Sequence, residues 1–443
     1  MSDLDLAHEP RSAGRFLRRR AVELAVLLPW FLLHARAAAE LGIDAVAAGF
    51  LLHCAIERRW GWLRQGWVPL GLAWWAWLVT CTLLNGGGGG ALPQALAAVR
   101  FLAFVAALEH WALRGARERG WFLASLQWAT LYVAAQTLLQ FVTGHNLFGA
   151  PRSGDGELTG PFTKPRAAPT YVRMLFPALL PTASALLARP GWRPFLAAIA
   201  LLAGAVAALV LIGQRMPVLL AALGLLVMAS LLPRLRGPVA VAVVAGGALI
   251  AGSAFVSPPT FYRLVTKFSR QMEDFGGSPY GLIAERAVAI AEQHLVIGRG
   301  YDGFQAACPE PRYFQGWHWP GEPAGGDGGG AAMCVPHPHN LYLQAATDAG
   351  LPGLALFSAL AATWLLRLGR GLVRDPEPLR VGLFVAALIQ LWPIASTSPL
   401  VSLPIGGWFF LLLGFGLAEA AQPQRARDAD ARKHQASKAG LLS

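Results

Sequence analysis

The chain has 443 residues, of which 55% are hydrophobic and only 14% charged, with a mean hydropathy of +0.45 and a net charge of +12. Soluble domains carry about 25% charged residues, so the composition excludes a water-soluble enzyme and indicates a polytopic membrane protein. The basic balance is read as cationic cytoplasmic loops, not as a nucleic-acid surface, because there is no soluble basic domain to carry one.

A membrane-crossing helix needs about 20 apolar residues. Apolar segments near 17–36, 38–56, 67–84, 92–113, 121–142, 169–188, 194–213, 216–232, 238–256, 341–366, 379–397 and 402–420 predict about twelve spans in an all-α fold. The first, in "RFLRRRAVELAVLLPWFLL", reads as a signal anchor, with a basic front and no small-residue cleavage site. Glu23, His34, Arg36, Glu40 and Asp44 interrupt or bound the first two segments. With the N-terminus in the cytoplasm, every short connection on that side is basic: Arg18–Arg19–Arg20, Arg58, Arg59, Arg64, Arg114, Arg117, Arg119, Arg189, Arg193, Arg234, Arg236, Arg367, Arg370, Arg374 and Arg380. The short connections 85–90 and 396–404 on the other side carry no Lys or Arg. Both termini are therefore expected in the cytoplasm.

Four regions follow: spans 1–9 over 1–256 with an outer loop at 143–168, a large outer loop at 257–340, spans 10–12 over 341–420, and a charged tail at 421–443. In the large loop, Phe261, Leu264, Val265, Phe268, Met272 and Phe275 recur at helical spacing. A second amphipathic helix is predicted in "PYGLIAERAVAIAEQHLV", followed by a turn in "IGRGYDGF". The glycine-rich stretch 321–332 has no strand before it and no Lys-Ser/Thr after it, so it is not a phosphate loop. Cys54 and Cys81 fall in spans. Cys308 and Cys334 are the only cysteines of the large loop, and in an oxidising compartment they are a candidate disulfide, the alternative being two free thiols.

Outer-side cations oppose the topology signal and call for an anionic ligand. They include Arg36, Arg100, Arg152, Lys164, Arg166, Arg173, Arg215, Arg263, Lys267, Arg270, Arg286, Arg299 and Arg312. Arg215, in "LIGQRMPVLL", sits at the outer interface, where a guanidinium either serves a site or snorkels to headgroups. Arg286 shares a helix face with Ile283 and Ile290, which suggests either a diphosphate ligand or a salt bridge to Asp302 or Glu310. In "CVPHPHNLYLQAATDAGLPG", His339 is a candidate base at a helix entrance, with His337 as a rival base and Asn340 or Asp348 as orienting groups. A histidine that merely caps the helix is the structural alternative. A His-x-His metal pair is disfavoured, because neither HExxH nor a Cys/His quartet is present. The acidic pairs in "DLD" at 3–5 and "DAD" at 428–430 read as solvated charge, so arginines would have to replace a divalent cation.

"HNLYLQAATDAGLPG" resembles the signature of the O-antigen ligase and O-antigen polymerase superfamily, with His339, Asn340, Asp348, Gly350 and Gly353 at the matching positions. Asp348 departs from the family's more frequent Glu, and a second "HNL" at 145–147 lacks the acid and glycine step. "GQRMPVLL", "LTGPFTKPRAAPTYV" and "ERAVAIAEQHLVIGRGYDGF" are weaker echoes of the same family. The resemblance implies a GT-C-like membrane glycosyltransferase of the bacterial inner membrane with a periplasmic active site and no cofactor or metal. Its donor would be an undecaprenyl-diphosphate-linked glycan. A ligase would pass the glycan to lipid A–core, a polymerase to another lipid-linked repeat. Carried onto this chain, Arg215 and Arg286 hold the diphosphate and His339 takes the acceptor proton in one inverting displacement. Lys164, Arg166, Arg152 and Arg100 would be supporting phosphate ligands. Transfer to protein and, from another class, a transporter are the competing readings. A transporter predicts ionisable groups at mid-membrane in related halves, and no internal repeat is visible.

Overall fold

The computed structural model describes residues 12–422 except 155, 320, 321, 397, 398 and 404; the acidic pairs at 3–5 and 428–430 and the tail from 423 lie outside the described residues. Runs of Ala, Leu and Val with little local polar competition favour helix throughout. No strand forms among the described residues, only an isolated bridge between His145 and Pro151.

Helices α1 (Ser12–His34) and α2 (Arg36–Glu57) pack on each other across a break at Ala35. Next come α3 (Val68–Leu84), then α4 (Ala91–Ala97) and α5 (Val99–Ala107), which continue into a π-helical turn at Leu108–Ala112. α6 (Ala116–Thr143), α7 (Ala167–Leu187), α8 (Trp192–Ile212), α9 (Arg215–Leu231) and α10 (Arg236–Val256) complete the first region. The large loop contains α11 (Pro258–Phe261), α12 (Lys267–Glu273), α13 (Pro279–Gln293) and α14 (Gly303–Ala307). α15 (Leu341–Gly369), α16 (Pro378–Gln390) and α17 (Ile405–Ala420) follow it.

Among the described residues, seven helical stretches are long and apolar enough to cross a membrane: α2, the path Ala91–Ala112, α6, α7, α8, the path Pro233–Val256, and α15. Val68–Leu84, Arg215–Leu231, Pro378–Gln390 and Gly406–Ala420 are apolar but shorter. α1 is long, but its first half carries Arg15, Arg18, Arg19, Arg20 and Glu23. Each of the twelve apolar segments contains helix among the described residues, and length with composition supports seven stretches as crossings. The eleventh segment was expected to run to 397 but its helix stops at Gln390, because Pro393 and Pro399 cannot sustain the ladder.

Contacts sort the connections onto two faces. On one, Asn85 bonds Gly298, Gln214 bonds Pro165, Arg263 bonds Gly213 and Asn340 bonds Pro393, which gathers the 85, 143–168, 213, 257–340 and 393 segments. On the other, Arg18 pairs with Glu118 at 2.9 Å, Arg119 with Glu419 at 2.7 Å and Arg367 with the buried Glu109 at 2.6 Å. The basic turns lie on this second face. An apolar core runs between them, and the large loop adds a small core of its own around Ile283, Ala287, Ile290, Phe304 and Tyr313.

Candidate functional site

The entrance to α15 is built by its own first residues. Asn340 is extended and caps the helix, its side-chain oxygen accepting from Tyr342 N–H at 2.9 Å and Leu343 N–H at 3.0 Å. Its amide nitrogen donates to Pro393 O at 2.6 Å, and Tyr342 Oη donates to Leu391 O at 2.7 Å, so the entrance is tied to the end of α16. Immediately before this cap, His339 has a φ of 55°. That left-handed conformation is uncommon outside glycine and is held only where the surroundings enforce it. The His339 ring lies 4.4 Å from that of His337 and 5.8 Å, edge to face, from Tyr280 on α13. Burial pushes His339 below the ordinary imidazole range, and burial together with His339 takes His337 down to about 4. His337 Nε2 is buried without a hydrogen-bond partner. Both imidazoles are thereby kept neutral, the form that can accept a proton.

Farther along α15, the acid and glycine step forms a dock for the large loop. Gly350 has φ 67° and ψ −168°, which breaks the helix there. The freed groups are recovered: Leu351 N–H donates to Leu295 O at 2.7 Å and Trp77 Nε1 donates to Ala349 O at 2.9 Å. A Cβ on Gly350 would lie 2.4 Å from Val296 O. Asp348 is buried and accepts from Gly303 N–H at the start of α14, at 2.9 Å, and from Gln344 Nε2 at 3.4 Å. Gly300 N–H donates to Asp348 O at 2.8 Å, and Tyr301 N–H to Thr82 Oγ1 at 3.0 Å. Asp348 therefore positions the "IGRGYDGF" turn.

Arg286 does not face an open site. It is 1% exposed, Nη1 donates to Gly330 O at 2.8 Å, Nη2 donates to Gly328 O at 2.9 Å, and the guanidinium lies 4.3 Å from the Phe314 ring centroid. Where the sequence leads one to expect a diphosphate ligand, two backbone carbonyls take Nη1 and Nη2 and an aromatic face covers the group, while Nε is buried without a partner. Nor does it pair with Asp302 or Glu310. Glu310 instead takes Arg299 at 2.7 Å and Arg312 at 2.6 Å. Cys308 and Cys334 are joined as a disulfide, with Cα atoms 5.6 Å apart, against the same guanidinium. Arg286 and the disulfide together fasten the glycine-rich strap to α13.

Arg215 opens α9 and is half-buried. It donates to Gln271 Oε1 beyond α12's first turn and lies within electrostatic reach of Tyr280, Arg263 and Glu157. Arg263 pairs with Glu157 at 2.6 Å. Gln214 donates to Glu157 and, at 3.0 Å, to Pro165 O, which brings the exposed Lys164 and Arg166 up to the start of α9.

The structure therefore gathers Arg215, Lys164, Arg166, His337 and His339 on one face. Arg152, on the same face, donates to Phe141 O at 2.7 Å, and Arg100 pairs with Asp44 at 3.2 Å. Asn340, expected as a substrate ligand, is used by the helix cap and by Pro393. Tyr280 and Gln271 are not singled out by the sequence, and Arg263 appears there only among the outer-side cations. The only available signal for Tyr280 was its place at the start of the second amphipathic helix. Among the described residues no group of three or more His, Cys, Asp or Glu side chains could hold a metal ion. A cavity of about 1130 Å³ opens on the opposite face, lined by Arg18, His53, Arg59, Trp111 and Trp121, and touches none of the expected site residues.

Chemically, the face combines exposed and half-buried cations, a neutral imidazole and a tyrosine, which suits an anionic leaving group and a hydroxyl nucleophile. Residues 197–358 match the Wzy_C family model, described as O-antigen ligase. The match runs from α8 into α15 and includes Arg215, Arg286, His337, His339 and Asp348. No curated protein matches the chain. Over these residues the chain is similar to the O-antigen ligase family.

Proposed function

We propose that the protein is an O-antigen ligase that transfers a glycan from undecaprenyl diphosphate to lipid A–core at the periplasmic face of the bacterial inner membrane. On this reading the twelve helical segments are twelve crossings in a GT-C-like arrangement, with the termini and the arginine-rich turns in the cytoplasm. What supports it is the ring contact of Tyr280 with His339, with Arg215 and the segment of Lys164 and Arg166 on the same face as the large loop.

The donor's diphosphate enters beside Arg215, with Lys164 and Arg166 as further cationic partners. A guanidinium bonds a phosphate through two parallel N–H groups. The acceptor hydroxyl attacks the anomeric carbon from the side opposite the diphosphate. Its proton passes to neutral His339 as the new C–O bond forms. The old C–O bond breaks, its electron pair leaves on the diphosphate, and Arg215 stabilises that charge as it grows. One displacement inverts the anomeric centre. Arg286 acts at a distance, by fixing the strap over α13, and Asp348 by fixing the turn against α15.

The test is reconstitution of purified protein with lipid-linked glycan and lipid A–core. Glycan-decorated lipid A–core is the expected product. Lengthened lipid-linked glycan in its place would assign a polymerase. Neither product would remove glycan transfer altogether.

A further inference from the structure

Large aromatic side chains stand exposed or half-exposed on the outer loop, on the segments that flank the start of α13. Tyr280, whose ring meets His339, is 40% exposed; Phe275, one turn away, is 40% exposed; Trp319 is 65% exposed. Phe275 meets Trp317 edge to face at 5.5 Å, and Trp317 meets Trp319 edge to face at 6.1 Å.

The row is held rigidly. The turn between Phe275 and Tyr280 is closed by Ser278, whose N–H and Oγ reach Phe275 O at 3.1 and 2.6 Å and whose Oγ accepts from Gly281 N–H at 3.2 Å. A Cβ on Gly281 would lie 2.0 Å from Phe275 O, and one on Gly276 would lie 2.8 Å from the Trp317 ring. The strap that carries Trp317 and Trp319 is fastened by Arg286 and by the Cys308–Cys334 disulfide.

An exposed apolar row of this size calls for an occupant. Lipid is a poor one, because carboxylates lie within the series. Asp274 Oδ1 accepts from Gly277 N–H at 2.9 Å, and Glu322 Oε2 accepts from Trp319 N–H at 3.2 Å, with Glu273 exposed beside them. Such groups carry the same sign of charge as lipid phosphates and gain nothing from packing among them. Carbohydrate fits both features. The C–H bonds on one face of a pyranose carry partial positive charge and lie against the negative face of an aromatic ring, while carboxylates accept from sugar hydroxyls.

We propose that Phe275, Trp317 and Trp319 continue from Tyr280 as a glycan-binding row that receives the donor's polysaccharide beyond its first sugar. This rests on the glycan-transfer reading of the site. It predicts that the protein prefers long donors over single repeats, since only a long chain reaches Trp319.

The test compares two lipid-diphosphate-linked donors, one bearing a single repeat and one bearing polymer, with wild type, Trp319→Ala and Phe275→Ala. Wild type should show the lower KM for polymer. Either variant should raise the polymer KM by about tenfold, near the loss of one aromatic contact, and leave single-repeat transfer unchanged. An unchanged polymer KM in both variants overturns the row, as does an equal fall for both donors, which would mark the rings as membrane or folding contacts. Absence of any transfer by wild type defeats the underlying glycan reading instead. As a measurement free of turnover, His339→Ala protein should bind polysaccharide released from lipopolysaccharide by mild acid, and the double variant His339→Ala/Trp319→Ala should bind it about tenfold more weakly. Equal binding by the two contradicts the proposal.

Discussion

At the residue scale, His339 holds a left-handed backbone just outside a helix that Asn340 caps in the ordinary way. Such strain persists where neighbouring structure enforces it and where a side chain must be aimed. Replacing His339 with Ala should abolish transfer while the protein still inserts and keeps its thermal stability within a few degrees. The pH dependence follows from the sign of the shift. Burial lowers the His339 pKa from its ordinary 6.5, so the ring stays neutral down to a pH below that value. Transfer should therefore be flat between about pH 7 and 8 and fall only on acidification below about 6.5. A rate that rises on acidification would assign the ring as an acid. Arg286 has a different signature. Lys in its place cannot bond Gly328 O and Gly330 O together while lying on Phe314, so Arg286→Lys should lower loop stability by about 1–3 kcal/mol. A selective rise in donor KM without loss of stability would restore it as a diphosphate ligand. The sequence made His339, Asn340 and Arg215 conspicuous through motif and position. It left Arg286 ambiguous, because shared periodicity with Ile283 and Ile290 reveals that the guanidinium faces inward but not that it meets the carbonyls of a distant glycine-rich strap.

At the scale of elements, α15 is broken at Gly350 so that the backbone of 295–296 can lie against it. Gly350→Ala would force an L-residue into φ 67°, a penalty of roughly 1–3 kcal/mol, and place its Cβ 2.4 Å from Val296 O. The variant should lose transfer and expose the 295–303 turn to protease, even though it touches no proposed substrate group. Normal activity with normal protease resistance would show that the dock is dispensable. The helices themselves were legible from runs of apolar residues, and the second amphipathic helix appears as α13. The first is less regular than its spacing suggested, since a π-helical turn at Tyr262–Thr266 separates α11 from α12. The kink could not be read from α15 alone. "DAGLPG" carries the flexible glycine and the acid, but the partners that use them come from another part of the chain. Composition likewise could not decide whether Cys308 and Cys334 pair, because that depends on two loop segments being brought together around Arg286.

At the scale of the whole molecule, one face gathers arginine-rich turns and the other gathers the long segments, the histidine pair and the cations near α9. That division follows from the alternation of helices and is the feature most fully written in the sequence. The same face carries the guanidinium and ammonium groups and the buried imidazoles that the proposed glycan transfer would use. The most direct measurement is transfer by purified protein in excess chelator, with lipid-linked glycan and lipid A–core as the only substrates, for wild type, Arg215→Ala and His339→Ala. The account predicts glycan-decorated lipid A–core from wild type, a raised donor KM for Arg215→Ala, and no product from His339→Ala. Loss of wild-type transfer in chelator, restored by a divalent cation, or full transfer by His339→Ala, would contradict it.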